Sequence, residues 1–167
     1  MAAEFEQLKK FKQKLDDAGA SIEELAEDCT KDLAGRLLSY VIPDTPVGKN
    51  RGPGGAIKGG TLRRGWTAKT HAEAYSGAQG GNANGPNARN YAKELPVQKS
   101  GDTYTIDIIN PVEYAMYVEY GHRTRNGKGF VPGQHMLTNS INKLEPQVPR
   151  ILDKKVQKFL DELGDIQ

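Results

Sequence analysis

The side chains best suited to bind a metal are three histidines and one cysteine, namely His71, His122, His135 and Cys29. A zinc site built on one local element needs ligands close in sequence, such as two histidines at positions i and i+4. No two of these four residues have that spacing. We therefore predict that the protein holds no metal and no other cofactor. Cys29 lies in a helical pattern and is interpreted as a buried structural thiol.

Phosphate binding and acid–base catalysis are also weakly supported. The segment 121–128 resembles a phosphate-binding loop, but it has five residues between its glycines where four are required. Glu113 and Glu119 are six residues apart, a spacing that places them on different faces of a helix. The sequence therefore predicts a protein that is not an enzyme. A pocket formed by His122, His135 and a carboxylate would favour the alternative, a small enzyme or toxin.

The charge is unevenly distributed along the 167 residues, although the net charge is only +2. Residues 1–42 carry −3, residues 43–130 carry +5, and residues 131–167 are neutral. The basic middle is rich in glycine and fits a contact with nucleic acid or with an acidic protein surface, or a solvated loop. We expect neither a signal peptide nor a membrane-spanning segment, because no apolar run approaches the length that a span needs.

Three tyrosines at three-residue intervals, Tyr114, Tyr117 and Tyr120, provide the clearest binding candidate. They drift around one broad side of a short helix. Two interpretations stay open: the rings pack the helix onto a sheet, or they form a contact surface, for which tyrosine is well suited.

Two N-terminal helices are predicted over residues 1–42. The segment 16–19 (DDAG) separates them, Ser21 begins the second helix, and Pro43 ends it. The second helix has an apolar stripe. Its members are Ile22, Leu25, Ala26, Cys29, Leu33, Leu37 and Tyr40.

The middle of the chain alternates between loops and short elements. A mobile basic loop is predicted over 43–60, a strand over 66–75, a low-complexity loop over 76–90, and a hairpin with strands at 94–98 and 103–110. A short helix with Asn110 as its N-cap and Gly121 at its C-terminal end follows, and then a basic loop over 122–131.

C-terminal helices over 132–167, interrupted at Pro146 and Pro149, complete the chain. The predicted fold is a single α+β domain over 1–167, with sheet, hairpin and short helix at 61–131. In it, amphipathic helices from both ends pack on one small antiparallel sheet, which carries long glycine-rich loops.

Three segments in this order resemble a known family. They are TPVG at 45–48 with GTLRRGW at 60–66, NPVEYA at 110–115 with YVEYG at 117–121, and FVPG at 130–133 with ML at 136–137. Together they resemble the tail-component proteins of long-tailed bacteriophages, also called tail-completion or minor tail protein Z-like proteins. The resemblance covers about residues 22–145 and does not explain the Gly/Asn-rich stretch at 76–90.

The resemblance implies a virion structural protein of the head–tail neck or tail top, made in the host cytoplasm. It implies a homo-oligomeric ring, six-fold or twelve-fold, around the DNA channel, which joins head to tail. The implied partners are other copies of the chain, neighbouring neck and tail proteins (connector, stopper, terminator or tail tube) and transiently double-stranded DNA, without a membrane. A non-enzymatic DNA-binding module using the basic glycine-rich loops stays as the alternative.

The residues expected to form interfaces are the cations of the basic segments and the aromatic and imidazole side chains near them. They are Lys49, Arg51, Lys58, Arg63, Arg64, Trp66, Tyr114, Tyr117, Tyr120, His122, Arg123, Arg125, Lys128 and Phe130.

Overall fold

The computed structural model describes the backbone of residues 2–48, 59–76 and 85–164, and the side chains of residues 17, 22–48, 59–75 and 88–161. The chain combines helices with two small antiparallel sheets, so the α+β class is confirmed. The helices are α1 (Ala2–Asp44), α2 (Thr61–Gly65), α3 (His71–Ser76), α4 (Gly85–Glu94), α5 (Ala115–Tyr120), α6 (Met136–Leu144) and α7 (Val148–Gly164). The strands are β1 (Gln98–Ser100), β2 (Thr103–Thr105), β3 (Gly121–Arg123) and β4 (Phe130–Pro132).

The N-terminal segment is one helix of 43 residues, so the predicted break at 16–19 is wrong. The segment 16–19 contains no proline, and its one glycine destabilises a helix by only about 1 kcal/mol relative to alanine. Pro43 lies inside α1, which ends one residue later. The last turn closes at Thr45, whose backbone N–H and hydroxyl both donate to the carbonyl of Val41, at 2.9 and 2.6 Å.

The buried side of α1 is rotated relative to the predicted apolar stripe. Ala34, Leu38, Val41 and Ile42 are buried in the core. The predicted residues from Leu25 to Tyr40 are half-buried and lie at the edge of this side, whereas Ile22 is exposed. Periodicity identified the helix correctly, but neighbouring elements decide which of its apolar residues are covered completely.

Small residues bring α1 and α4 close together. Ala88 and Ala92 of α4 are fully buried. A Cβ atom at Gly35 of α1 would lie 3.2 Å from the Cα of Arg89 and 3.5 Å from the Cβ of Ala92. The two backbones therefore approach within the space that only alanine and glycine leave. The prediction of a loop over 76–90 is wrong from Gly85 onward, and residues 77–84 lie outside the described part of the chain.

The predicted strand at 66–75 is wrong, because this region contains a turn followed by helix α3. Thr70 accepts a hydrogen bond from the backbone N–H of Glu73 (3.2 Å), while the Glu73 carboxylate accepts from the N–H of Lys69 (2.8 Å). This arrangement is close to a capping box. The Thr-x-x-Glu spacing was present in the sequence, but the alternation of alanine with polar residues pointed to a strand instead.

Two separate antiparallel hairpins replace the single predicted sheet. In the first, Gln98 pairs with Thr105 and Ser100 with Thr103 across a two-residue turn. The predicted hairpin is therefore present, but its first strand occupies 98–100 where 94–98 was predicted, and its second strand ends at Thr105. In the second, Gly121 pairs with Pro132 and Arg123 with Phe130. This second hairpin lies where a loop over 122–131 was predicted, so that prediction is wrong.

Helix α5 begins four residues later than predicted, at Ala115 with Tyr114 as its N-cap, and has no side-chain cap. Asn110 makes other contacts: its side-chain amide donates to the carbonyl of Leu62 (2.9 Å), and its Oδ1 accepts from the N–H of Val112 (3.2 Å). A residue suited to an N-cap therefore connects the chain before α5 to helix α2. Gly121 does follow the last residue of α5, as predicted, with φ +85°.

The two C-terminal helices are confirmed, and the interruption at Pro146 is a 3-10 turn over Glu145–Gln147. The predicted interruption at Pro149 is wrong, because this residue lies in the first turn of α7, where proline is tolerated. Met136 and Leu144 of α6 are buried, whereas Ile141 is exposed. Lys143 of α6 and Lys155 of α7 form ion pairs with Asp44 and Asp28 of α1, respectively. Within the described ranges, no helix has both the length and the hydropathy needed to cross a membrane.

Candidate functional site

The metal-ligand candidates lie apart in the described structure. His71 begins α3 and lies against the Tyr75 ring (6.4 Å between centroids), and His122 meets Tyr117 edge-on at 5.9 Å. Cys29, predicted to be a buried thiol, is half-buried, and this partial burial raises the pKa of the thiol. In residues 17, 22–48, 59–75 and 88–161, no three His, Cys, Asp or Glu side chains form a group able to hold a metal.

Arg63 holds the C-terminal end of α1. Its Nε and Nη2 donate to the carbonyl of Thr45 (3.0 and 2.7 Å), and Nη2 also donates to the carbonyl of Pro43 (3.0 Å). Carbonyls at a helix end have no partner within the helix and carry partial negative charge. The guanidinium group therefore stabilises the end of α1.

Arg64 joins the short helices α2 and α3. Its Nε donates to the carbonyl of Ala74 (2.8 Å) and its Nη1 to the carbonyl of Gly59 (3.2 Å). Arg63 and Arg64 were both predicted to contact a partner, and the structure gives both guanidinium groups partners within the chain. The other cations predicted nearby, Lys49, Arg51 and Lys58, lie outside the described residues.

Trp66, another predicted interface residue, lies in the core with only 4% of its surface exposed. Its indole N–H donates to the hydroxyl of Thr45 at 2.7 Å. Thr45 is itself fully buried, and its hydroxyl donates a hydrogen bond to the carbonyl of Val41. The GTLRRGW and TPVG segments thus meet in the core.

The three tyrosines are exposed, which favours a contact surface over core packing. Tyr117 and Tyr120 expose 59% and 58% of their surfaces. The side of α5 that faces inward carries Ala115, Val118 and Glu119. Helix α5 therefore has its larger apolar rings outside and a carboxylate inside, the reverse of an ordinary surface helix.

Glu119 is only 5% exposed and caps helix α6. Its Oε2 accepts from the N–H of Leu137 (2.9 Å), and its Oε1 accepts from the N–H and hydroxyl of Thr138 (3.0 and 2.7 Å). Burial alone would raise its pKa, but these hydrogen bonds, together with the charge of His135, outweigh burial and leave the pKa of Glu119 lowered. A carboxylate at this position satisfies the free N–H groups of the helix.

Two glycines let the chain before and after the second hairpin approach each other. A Cβ at Gly121 would lie 2.7 Å from Cζ of Phe130 and 2.8 Å from the backbone nitrogen of Gly133. A Cβ at Gly133 would lie 2.7 Å from the carbonyl carbon of Tyr120. Beside them, the N–H of Gln134 donates to the carbonyl of Val118 at 2.7 Å. The base of the hairpin is therefore fixed to both α5 and the start of α6.

The tip of this hairpin is ordered by Thr124. Its hydroxyl bonds to Asn126 Oδ1 (2.7 Å) and accepts from the N–H of Gly129 (2.9 Å). Arg123, Arg125 and Lys128 project from this framework and are exposed, with no ion-pair partner in the part of the chain that the structure describes.

We call this region the α5–hairpin surface. It consists of the exposed residues of α5 and of the second hairpin. Phe130, 63% exposed, lies on β4 of this hairpin. The other predicted residues on α5 and the hairpin are Tyr117, Tyr120, His122, Arg123, Arg125 and Lys128. Sequence reasoning missed Met116 and Val131, which are also exposed here. Glu119 was considered only as a catalytic partner of Glu113, so its role as a cap of α6 was not predicted. A lone glutamate two residues before a glycine, in a short apolar helix, was the available signal.

A family model described as "Bacteriophage HK97-gp10, putative tail-component" matches residues 9–121. The chain belongs to this family. It is therefore a bacteriophage tail component and a protein of the virion, as the resemblance implied. Comparison with curated proteins and with solved structures found no significant match.

The family match runs from α1 to Gly121, the residue at which α5 meets the second hairpin. It includes Trp66, Glu119 and the exposed tyrosines. The cations and Phe130 of the hairpin follow the matched segment, so their assignment to a surface rests on the structure and not on the family.

Proposed function

We propose that this tail component is a tail-completion protein of the head–tail neck or tail top, where it forms a ring around the DNA channel and joins head to tail. The observation that carries the proposal is the α5–hairpin surface, where large apolar rings and unpaired cations are exposed together. Contiguous exposed apolar residues of this kind mark contact surfaces in soluble proteins. Tyrosine and arginine are also enriched where proteins meet.

The way this surface is held supports an assembly role. Glu119, Gly121 and Gly133 fix α5, the hairpin and α6 to one another through hydrogen bonds and close backbone contact. A surface that is already ordered loses less conformational entropy when it binds. The hairpin therefore presents its side chains in a defined arrangement before any partner arrives.

We propose that the role is non-enzymatic, with assembly beginning in the host cytoplasm. The titratable groups that the sequence offered for catalysis have other contacts: Glu119 caps α6, and His122 lies against Tyr117. These contacts stabilise the fold, and both residues lie on the elements that form the proposed interface.

Contact with double-stranded DNA is the second candidate, favoured by the three exposed cations of the hairpin. A DNA-binding module would bind random duplex with an affinity that falls steeply with salt, by a slope of about 0.9 per neutralised phosphate. A lining of the channel, by contrast, makes few phosphate contacts, since DNA must pass through it. Measuring duplex binding by the free protein between low and physiological salt separates the two.

The direct test is to locate the protein in intact particles, by gold-labelled antibody or by fitting the structure into averaged neck density. We expect label confined to the head–tail junction. Particles of a phage lacking the gene, stained in the same way, control for nonspecific label. Label distributed along the tail or at its tip, or absence of the protein from purified virions, would overturn the proposal.

A further inference from the structure

Two segments of the chain carry opposite charge without internal compensation. The second hairpin, residues 121–132, contains three cations and no acidic residue. The segment 17–28 of α1 contains five acidic residues and no basic one. These acidic residues are Asp17, Glu23, Glu24, Glu27 and Asp28.

Each segment also exposes an apolar side chain beside its charges. Phe130 lies on β4, paired with Arg123 on β3. Ile22 precedes Glu23 on α1 and is 55% exposed. A protein interface combines an apolar centre with a polar rim. Each segment thus combines an exposed apolar side chain with charged residues, and the charges of the two segments are opposite in sign.

The two segments lie at different positions along α1: the acidic segment is in the middle of the helix, and the base of the second hairpin is near its C-terminal end. Gln134, two residues after the hairpin, lines the same surface groove as Asp44 at the C-terminal end of α1. Glu24 is twenty residues before Asp44, which corresponds to about 30 Å along a helix. A hairpin arm of five residues extends about 16 Å. The hairpin is therefore placed to reach another copy of the chain more readily than its own acidic segment.

We propose that the α5–hairpin surface of one copy docks, head to tail, on the acidic segment 17–28 of α1 in the next copy. This inference deepens the proposed function and rests on it, since it names the two surfaces that meet in the ring. Contact between two different patches is heterologous, and repetition of a heterologous contact closes into a ring when the rotation between copies permits.

The acidic segment has capacity for additional cations. Glu23 contacts Lys99 at 2.6 Å and Glu27 lies 3.9 Å from Lys31, both at exposed positions. Glu24 has no ion-pair partner among the described residues. A carboxylate accepts several hydrogen bonds, so an incoming guanidinium binds without displacing the lysine already there.

The test is a charge exchange in the phage that encodes this chain. One variant carries Arg123→Glu with Arg125→Glu, the second carries Glu24→Lys with Glu27→Lys, and the third combines all four. Like charges then face each other in either double variant, whereas opposite charges face each other again in the combination. We expect each double variant to reduce incorporation into virions about 10-fold or more, since two exposed pairs are lost and two repulsions gained.

Incorporation is measured by quantitative immunoblot of purified particles, and folding of each purified variant by circular dichroism. Lys93→Glu with Lys154→Glu is the matched control for the hairpin double variant, because it replaces two exposed cations of α4 and α7 and makes the same change in net charge. The control is expected to be incorporated normally. The combination is expected to recover to within about 3-fold of the native chain, because both pairs are re-formed with reversed sign.

Failure of the combination to recover would overturn the head-to-tail contact and indicate that the hairpin binds a different acidic neighbour or DNA. Normal incorporation of the hairpin double variant would overturn it as well. In both cases gold label at the junction would leave the proposed neck function intact. Absence of gold label from the junction of native particles would instead overturn the proposed neck function, and the head-to-tail contact with it.

Discussion

Trp66 and Tyr117 are aromatic residues of two regions that differ in which side chains they bury: Trp66 is buried, whereas Tyr117 is exposed. Around Trp66, α1, α2, α4 and α6 enclose an apolar core in which the buried polar groups, such as the Trp66 indole and Thr45, are paired. Around Tyr117, the α5–hairpin surface exposes its aromatic rings and encloses the carboxylate of Glu119. The first region stabilises the chain by burial. The second region is held by the hydrogen bonds of Glu119 and leaves its aromatic rings exposed to solvent.

The difference shows that residue type alone does not separate core from interface in this protein. In α5 the inward positions 115, 118 and 119 carry two small apolar residues and one acid, and the outward positions carry Met116, Tyr117 and Tyr120. The region therefore leaves this apolar area exposed in the monomer. If the comparison is right, variants in the two regions will separate stability from assembly.

The largest loss of stability is expected for Trp66→Ala in the core. Removing the indole leaves a cavity and the Thr45 hydroxyl without its donor, so the free energy of unfolding should fall by about 3–5 kcal/mol. Urea denaturation of the purified full chain measures it. A change below about 1 kcal/mol would show that the core region does not depend on this side chain.

An intermediate loss is expected for Glu119→Gln, which keeps the shape of the side chain but removes its charge. The amide offers one acceptor where the carboxylate offers two, so the capping of α6 weakens by about 2 kcal/mol. Urea denaturation at pH 7 checks this value. Because the Glu119 pKa is lowered in the folded chain, the advantage of the native residue is complete at neutral pH.

The same variant predicts a pH dependence. Below about pH 4.3, the ordinary value for glutamate, the unfolded chain takes up a proton at this position before the folded chain does. The stability difference between the native chain and Glu119→Gln should therefore shrink as the pH falls through the folded-state pKa. A difference that grew on acidification would contradict the assignment of Glu119 as an ionised cap.

The smallest change in stability is expected for Tyr117→Ser with Tyr120→Ser, at most about 0.5 kcal/mol for each residue, because both rings are exposed. Incorporation into virions should nonetheless fall about 10-fold or more, as expected when central aromatic contacts of an interface are removed. Tyr75→Ser, at an exposed tyrosine on α3, is the control. Normal incorporation of the double variant would remove these rings from the interface.

Much of the helical framework was predictable because it depends on local periodicity. The helical periodicity of α1, α6 and α7, the presence of a turn in the first hairpin and the glycine after α5 were correct, whereas the buried side of α1 and the burial of Ile141 were not. The strand predicted at 66–75 failed because alternating alanines fit a short capped helix as well as a strand. The second hairpin was missed because its glycines and cations have the composition of a loop.

The sequence by itself determined that amphipathic helices form at both ends of the chain and that a basic, tyrosine-rich region follows Asn110, since these depend on spacing of three or four residues and on charge counts. Only the tertiary structure decided the use of individual side chains. Arg63 and Arg64 bind carbonyls 10 to 20 residues away, Trp66 meets Thr45, and Glu119 reaches the start of α6. Such pairs are set by how the helices pack, because each group takes whichever partner the fold places within hydrogen-bond distance.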